Sequence, residues 1–223
     1  LPATPSEATA GRRVRHKHAR PGQLIEAALA LFVEKGYAAT RVEEIAQRAG
    51  VSKGTLFVYF QSKEDLFQAV VRENIAGRFV EWNEEFHAFQ GSSADMLRYC
   101  MRSWWERIGA TPASGITKLM LCEAQNFPEA LAYYQQQVIA PGKDLIRRIL
   151  ERGIARGEFQ VPDLDCAVYA VIAPMIFLLL NKHSLAACLP ESESIDPLRY
   201  VDAQAEVLLS GLRAPEGPAR QRS

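Results

Sequence analysis

The residues of this chain best suited to grip another molecule gather in one short run. Ser52, Lys53, Gly54, Thr55, Phe57, Val58 and Tyr59 lie within eight positions that contain no Asp or Glu. Small and hydroxylated residues of this kind let a backbone come close to DNA, and a helix N-terminus there favours phosphate. Chemistry that makes or breaks bonds finds no comparable set. His16, His18, His87 and His183 have no catalytic partner at metal-ligand spacing. No H-E-x-x-H, P-loop, G-x-S-x-G or glycine-rich strand-to-helix turn is present. Cys100, Cys122, Cys166 and Cys188 are widely spaced without a C-x-x-C pair, which fits neither a zinc site nor a disulfide framework. They read as buried, reduced thiols. The expectation is a protein that is not an enzyme, with no metal site and no cofactor.

The acid-free run needs neighbours to hold it. Leu24, Ala27, Ala28, Leu31 and Phe32 recur at helical spacing, and Gly36 supplies a stop. Thr40 with Glu43 reads as a capping box opening a second, short helix that ends before Gly50. Ser52 caps a third, through about Phe60, and Ser62 with Asp65 opens a long helix running to Phe89. Helices of about two turns are marginal alone, so Val42, Ile45, Ala49, Val51, Leu56 and Phe60 must give them a shared core. Ala46 leaves room for the third helix to approach, and Gly50 can take a positive φ and turn the chain. Together these make a helix-turn-helix, whose second helix enters the major groove with its N-terminal residues on base edges.

Charge divides along the same line. Residues 1–63 hold ten basic and five acidic residues, whereas the remainder holds sixteen and twenty-one. A basic segment joined to an acidic one implies two jobs, the first facing a polyanion. Residues 1–20, with Arg12, Arg13, Arg15, Lys17 and Arg20, read as a disordered basic arm. Such an arm either enters the minor groove or follows phosphates, or it is a solvated tail.

The ordered string Thr40-Arg41, Ile45-Ala46, Ala49 through Leu56, Tyr59-Phe60 and Ser62 through Leu66 resembles the DNA-binding signature of the tetracycline-repressor (TetR) family. The resemblance spans about residues 21–70. It implies a transcriptional regulator in which Thr40 and Lys63 bind phosphates at either end of the module and Tyr59 adds a further phosphate contact. It also implies that Ser52, Lys53, Gly54 and Thr55 sit against the DNA, with Lys53 able to reach guanine O6 and N7. Arg41 would contribute a base or phosphate contact. Phe57 stands where the family usually has Tyr, so any phosphate bond from that hydroxyl is absent.

The rest of the chain reads as helical too, over 95–108, 116–126, 128–157 with a break near Pro141, 163–184 with a kink at Pro174, and 197–212. The fold class is all-α: a helix-turn-helix DNA-binding domain over 21–66, a larger helical effector-binding and dimerisation domain over 67–213, and a disordered tail over 214–223. The longest apolar run, from Ala167 to Leu180, falls short of the roughly 18–20 residues a bilayer span needs. With no secretory segment at its start, the chain reads as soluble and cytoplasmic, with no membrane partner.

The resemblance implies dimerisation and an effector pocket in this second part. The last two helices carry Val168, Val171, Met175, Leu178, Val201, Ala205 and Leu209, enough to form a four-helix interface with a second copy. Of the sulfur-bearing and aromatic residues in the middle, Met101, Trp104, Trp105, Met120, Tyr134 and Phe177 are the candidates for lining a cavity, suited to a small, mostly apolar effector. Glu106 and Glu123 hint at tolerance for a cation. The partners expected are thus double-stranded operator DNA, a second copy and a small-molecule effector that releases the DNA, with repression the implied outcome. The alternative is a helical effector-binding or adaptor protein without specific DNA recognition, and the Phe57 departure is its only support.

Overall fold

Helix follows helix from Arg20 to Leu212, with no strand among the described residues, as the all-α reading expects. The computed structural model describes residues 20–188, 190 and 194–212. The basic arm before Arg20 and the tail after Leu212 lie outside them. Arg20, read from sequence as the end of the arm, is the first residue of α1. The chain divides into two units between Phe67 and Gln68.

The first unit holds α1 (Arg20–Lys35), α2 (Val42–Arg48), α3 (Lys53–Tyr59) and the start of α4 (Lys63–Val71). Leu24, Ala28, Leu31 and Phe32 bury one face of α1. Phe32, Tyr37 and Phe67 close a ring cluster, with centroids 5.4, 5.8 and 5.3 Å apart. Two seven-residue helices, α2 and α3, survive because Ile45 and Leu56 are both fully buried; each such side chain contributes about 1.5–3 kcal/mol. Between them Gly50 takes φ +67°, and the amide of Val51 donates to the Ala46 carbonyl at 2.9 Å.

The caps depart from expectation at one point. Arg41, not Thr40, is the residue that precedes α2, and its amide donates to Glu44 Oε2 at 3.2 Å. Ser52 caps α3 by accepting from the Thr55 amide at 3.1 Å. Ser62 accepts from the Asp65 amide at 3.1 Å, while the Asp65 carboxylate reaches back to the Gln61 amide at 3.0 Å.

The second unit comprises the end of α4, then α5 (Arg78–Ala88), α6 (Ser93–Trp104), α7 (Ser114–Glu123), α8 (Pro128–Tyr134), α9 (Ala140–Ala155), α10 (Leu164–Leu180) and α11 (Pro197–Leu212). Among the described residues four π-helical turns extend or join these helices, at Arg72–Ala76, Trp105–Gly109, Gln135–Ile139 and Asn181–Leu185. The run from 128 to 155 does not break at Pro141. That proline is the second residue of α9 and directly follows the π turn Gln135–Ile139, a local change in the backbone ladder at which helices accommodate a proline.

Val168, Val171, Met175, Leu178 and Leu179 of α10 are buried, and this helix packs on α7, α9 and α11. Arg98 and Arg102 of α6 reach Glu206 and Asp202 of α11 at 2.7 and 2.5 Å. Arg152 of α9 donates to the carbonyls of Phe89 and Gly91 and to Ser93 Oγ, fixing the turn before α6. The helical stretch Leu164–Leu185 is 22 residues long and contains an 18-residue window with a mean hydropathy of 2.0. By length and composition it could cross a membrane, which the shorter apolar run seen in the sequence could not.

The cysteines also differ from their reading. Cys122, Cys166 and Cys188 are exposed, and only Cys100 is partly enclosed. The first three stand near helix ends, outside the packed faces.

Candidate nucleic-acid interface and effector cavity

The outward face of α3 is built from side chains that the core of the first unit leaves at the surface. Lys53, Gly54, Phe57 and Val58 are exposed, with Val58 78% accessible, while Leu56 and Phe60 anchor the opposite side. A methyl group at Gly54 would meet only Ser52 Oγ, at 3.8 Å. Packing within the chain therefore does not demand glycine here; a close external approach would. Thr55 and Tyr59 are half-buried, and the Thr55 and Ser52 hydroxyls share a bond of 2.9 Å.

Lys53 is not loose. Its Nζ lies 2.6 Å from Glu43 and 5.7 Å from the centre of the Phe57 ring. The hydrogen bond from Lys53 holds the Glu43 carboxyl below the usual carboxylate range. Lys35 and Arg48 are paired likewise, with Glu44 and Glu34 at 2.8 Å. Arg41 is exposed at the start of α2.

Thr40 and Lys63 stand differently. Thr40 is 1% exposed, and its Oγ1 donates to the carbonyls of Leu31 at 3.2 Å and Gly36 at 2.7 Å. The Lys63 ammonium donates to the carbonyls of Tyr37 at 2.9 Å and Thr40 at 3.2 Å, and lies 4.4 Å from the Tyr37 ring centre. The Thr40 side chain ties the turn back to α1, and that of Lys63 ties it to the start of α4. Their polar atoms are engaged inside the unit, whereas the resemblance put them on phosphates.

The second unit holds a cavity of about 360 Å³ that opens to solvent, within the range of small-molecule sites. Of the six candidates, Trp104, Met120 and Tyr134 line it. Met101, Trp105 and Phe177 do not. Met101 is 1% exposed and turned into the helical core. The Trp105 ring fills the space over Gly109, where an added Cβ would fall 2.3 Å from it. Phe177 is 38% exposed, its ring 5.7 Å from that of Tyr200. Glu106 and Glu123 are not on the wall either.

Sequence reasoning missed Phe79 and Trp82 from α5 and Ile146, Lys143 and Ile172 from α9 and α10, all of which line the cavity. The 3-residue spacing of Phe79 and Trp82 was the available signal. Burial pushes the Cys100 thiol and the Tyr134 phenol each up to about 12, so both are neutral on the wall. Tyr134 Oη and Thr117 Oγ1 bond each other at 2.8 Å.

Comparison with known proteins matches the chain in two stretches. Residues 24–70 match the bacterial regulatory proteins of the tetR family, and residues 90–187 match a tetracyclin repressor-like C-terminal domain. The fatty acid metabolism regulator protein of Bacillus subtilis (strain 168) is 24% identical over 199 residues, covering 89% of this chain and 98% of that protein. The transcriptional regulator RutR of Escherichia coli (strain K12) is 46% identical over 65 residues, 29% of this chain and 31% of that one. Among solved structures, FadR from Bacillus subtilis in complex with stearoyl-CoA superposes with a TM-score of 0.64 at 24% identity, covering 85% of this chain and 98% of that one.

Proposed function

Because the chain belongs to the tetR family of bacterial regulatory proteins, and so is a DNA-binding transcriptional regulator, we propose that it is a homodimeric repressor released from its operator by a mostly apolar effector. The observation that carries this reading is the pairing of an acid-free, outward-facing α3 with an apolar cavity elsewhere in the same chain. In the proposed complex α3 lies in the major groove. Lys53, Gly54 and Thr55 face base edges, and Ser52, Arg41 and Tyr59 lie against the backbone. Phe57 adds apolar contact without a hydroxyl. For Thr40 and Lys63 the contact would run through the backbone they brace.

The dimer would form through α10 and α11, whose exposed Tyr169, Phe177 and Val207 are apolar surface that a second copy could cover. A two-fold pair presents two recognition helices about 34–36 Å apart, the spacing of successive major grooves. The effector would occupy the cavity. Full-length similarity to a regulator of fatty acid metabolism, and a solved neighbour holding stearoyl-CoA, support a ligand with a hydrocarbon chain. Ile75, Phe79 and Trp82 line the cavity and follow α4 in one helical stretch, a covalent route by which occupancy could bias the first unit. A coupling of about 1–3 kcal/mol changes affinity about 5–150-fold.

Footprinting on the duplex flanking the gene tests the proposal. Two protected half-sites one helical turn apart, both lost when an acyl ligand saturates the cavity, are expected. Protection that persists with a saturated cavity would contradict release.

A further inference from the structure

The wall of the cavity carries one charge. Lys143, from the first turn of α9, is the one basic or acidic residue among those that line it. Its Nζ donates to Tyr169 Oη at 2.7 Å and stands 4.5 Å from the centre of that ring. Tyr169 does not line the cavity and is 55% exposed, so the ammonium sits where the wall gives way to solvent. Among the described residues Lys143 makes no ion pair. The neighbouring acids are engaged elsewhere, Asp144 with Arg148 at 2.8 Å and Asp165 with Arg147.

Several of the other polar groups on the wall have partners. Thr117 and Tyr134 satisfy each other, and the Trp82 indole donates to Ser103 Oγ at 2.8 Å. A neutral oxygen can accept an ordinary hydrogen bond from this ammonium, which has no acid beside it, and a cationic head is repelled by it. A ligand anion would complete it with a charge-assisted bond, the stronger for being made beside an apolar wall.

We propose that the effector is an amphipathic anion, its hydrocarbon body in the cavity and its acidic head on Lys143. This inference rests on the reading of the cavity as the effector site. A free carboxylate and a phosphate-bearing conjugate share the required chemistry.

Quenching of Trp82 and Trp104 in the full-length protein reads binding directly. Decanoate, decanoyl-CoA, 1-decanol and decylamine share a ten-carbon chain and differ in the head. At least one of the two anions should bind about tenfold or more tighter than the alcohol and the amine, the scale of a bond to a charged group. The anion that shows this preference identifies the kind of head. Lys143→Met should abolish the preference and leave 1-decanol affinity within about twofold, and Lys143→Arg should keep it. Equal binding of the alcohol and both anions, or a preference that survives Lys143→Met, would overturn the assignment to Lys143. Absence of quenching by all four would overturn the effector reading of the cavity itself.

Discussion

Lys53 has a partner it must leave in order to touch DNA. The carboxylate of Glu43 lies 2.6 Å away, and both side chains are about half exposed, so exchange for a base edge or phosphate meets no steric barrier. Lys53→Ala should weaken operator binding by about 1–3 kcal/mol, the worth of a good base contact. Glu43→Gln should do the opposite, raising affinity a few-fold for operator and scrambled duplex alike, as measured by anisotropy. Weaker binding by that variant would mean that Glu43 orients Lys53 instead of restraining it. At this scale the sequence was informative where residue type alone decides exposure, as for Lys53 and Gly54, and not for Phe57, an aromatic that is exposed against its type. Thr40 and Lys63 were less legible. A donor is visible in a sequence, but the carbonyls of Leu31, Gly36 and Tyr37 that take it up are visible only in the fold.

Between elements, Thr40 is the hinge pin of the turn from α1 to α2. Thr40→Val keeps the volume and removes the donor to two carbonyls, which should lower stability by about 1–3 kcal/mol. The midpoint of urea unfolding would fall at unchanged slope; an unchanged midpoint would return Thr40 to a role on DNA alone. A second lock joins α7 to the π turn after α10, where Ser114 Oγ meets His183 Nε2 at 2.8 Å. Burial, then Lys182 and Lys118, holds the His183 imidazole below its ordinary pKa. The folded state therefore binds fewer protons than the unfolded chain at this site. Its stability is intact above the ordinary histidine pKa of about 6.5 and is lost as pH falls through the lower folded value. Urea midpoints at neutral and mildly acidic pH should differ less in His183→Asn than in the parent, and an equal difference would remove His183 from the account. Helix starts at Ser52 and Ser62 were readable because capping is local chemistry. The π turns were not, since one extra residue in a turn leaves the apolar period nearly intact.

For the whole molecule, the division into a basic and an acidic part already marked two tasks in the amino-acid sequence. The cavity could be anticipated only in part, because its wall is assembled from five long helical stretches and packing decides which aromatic faces inward. Trp104 lines it while its neighbour Trp105 does not. The surface of α10 and α11 makes a separate prediction. Val207 is 66% exposed, and Val207→Glu should yield a folded monomer by sedimentation with weakened operator binding; an intact dimer would move the interface elsewhere. The central claim is specific recognition of duplex DNA by α3. It is tested most directly by fluorescence anisotropy of the purified protein on the duplex upstream of its own gene, near physiological salt with excess competitor. Nanomolar binding that exceeds competitor by about a thousand-fold is the predicted result. Weak binding that vanishes with salt and ignores sequence would contradict it.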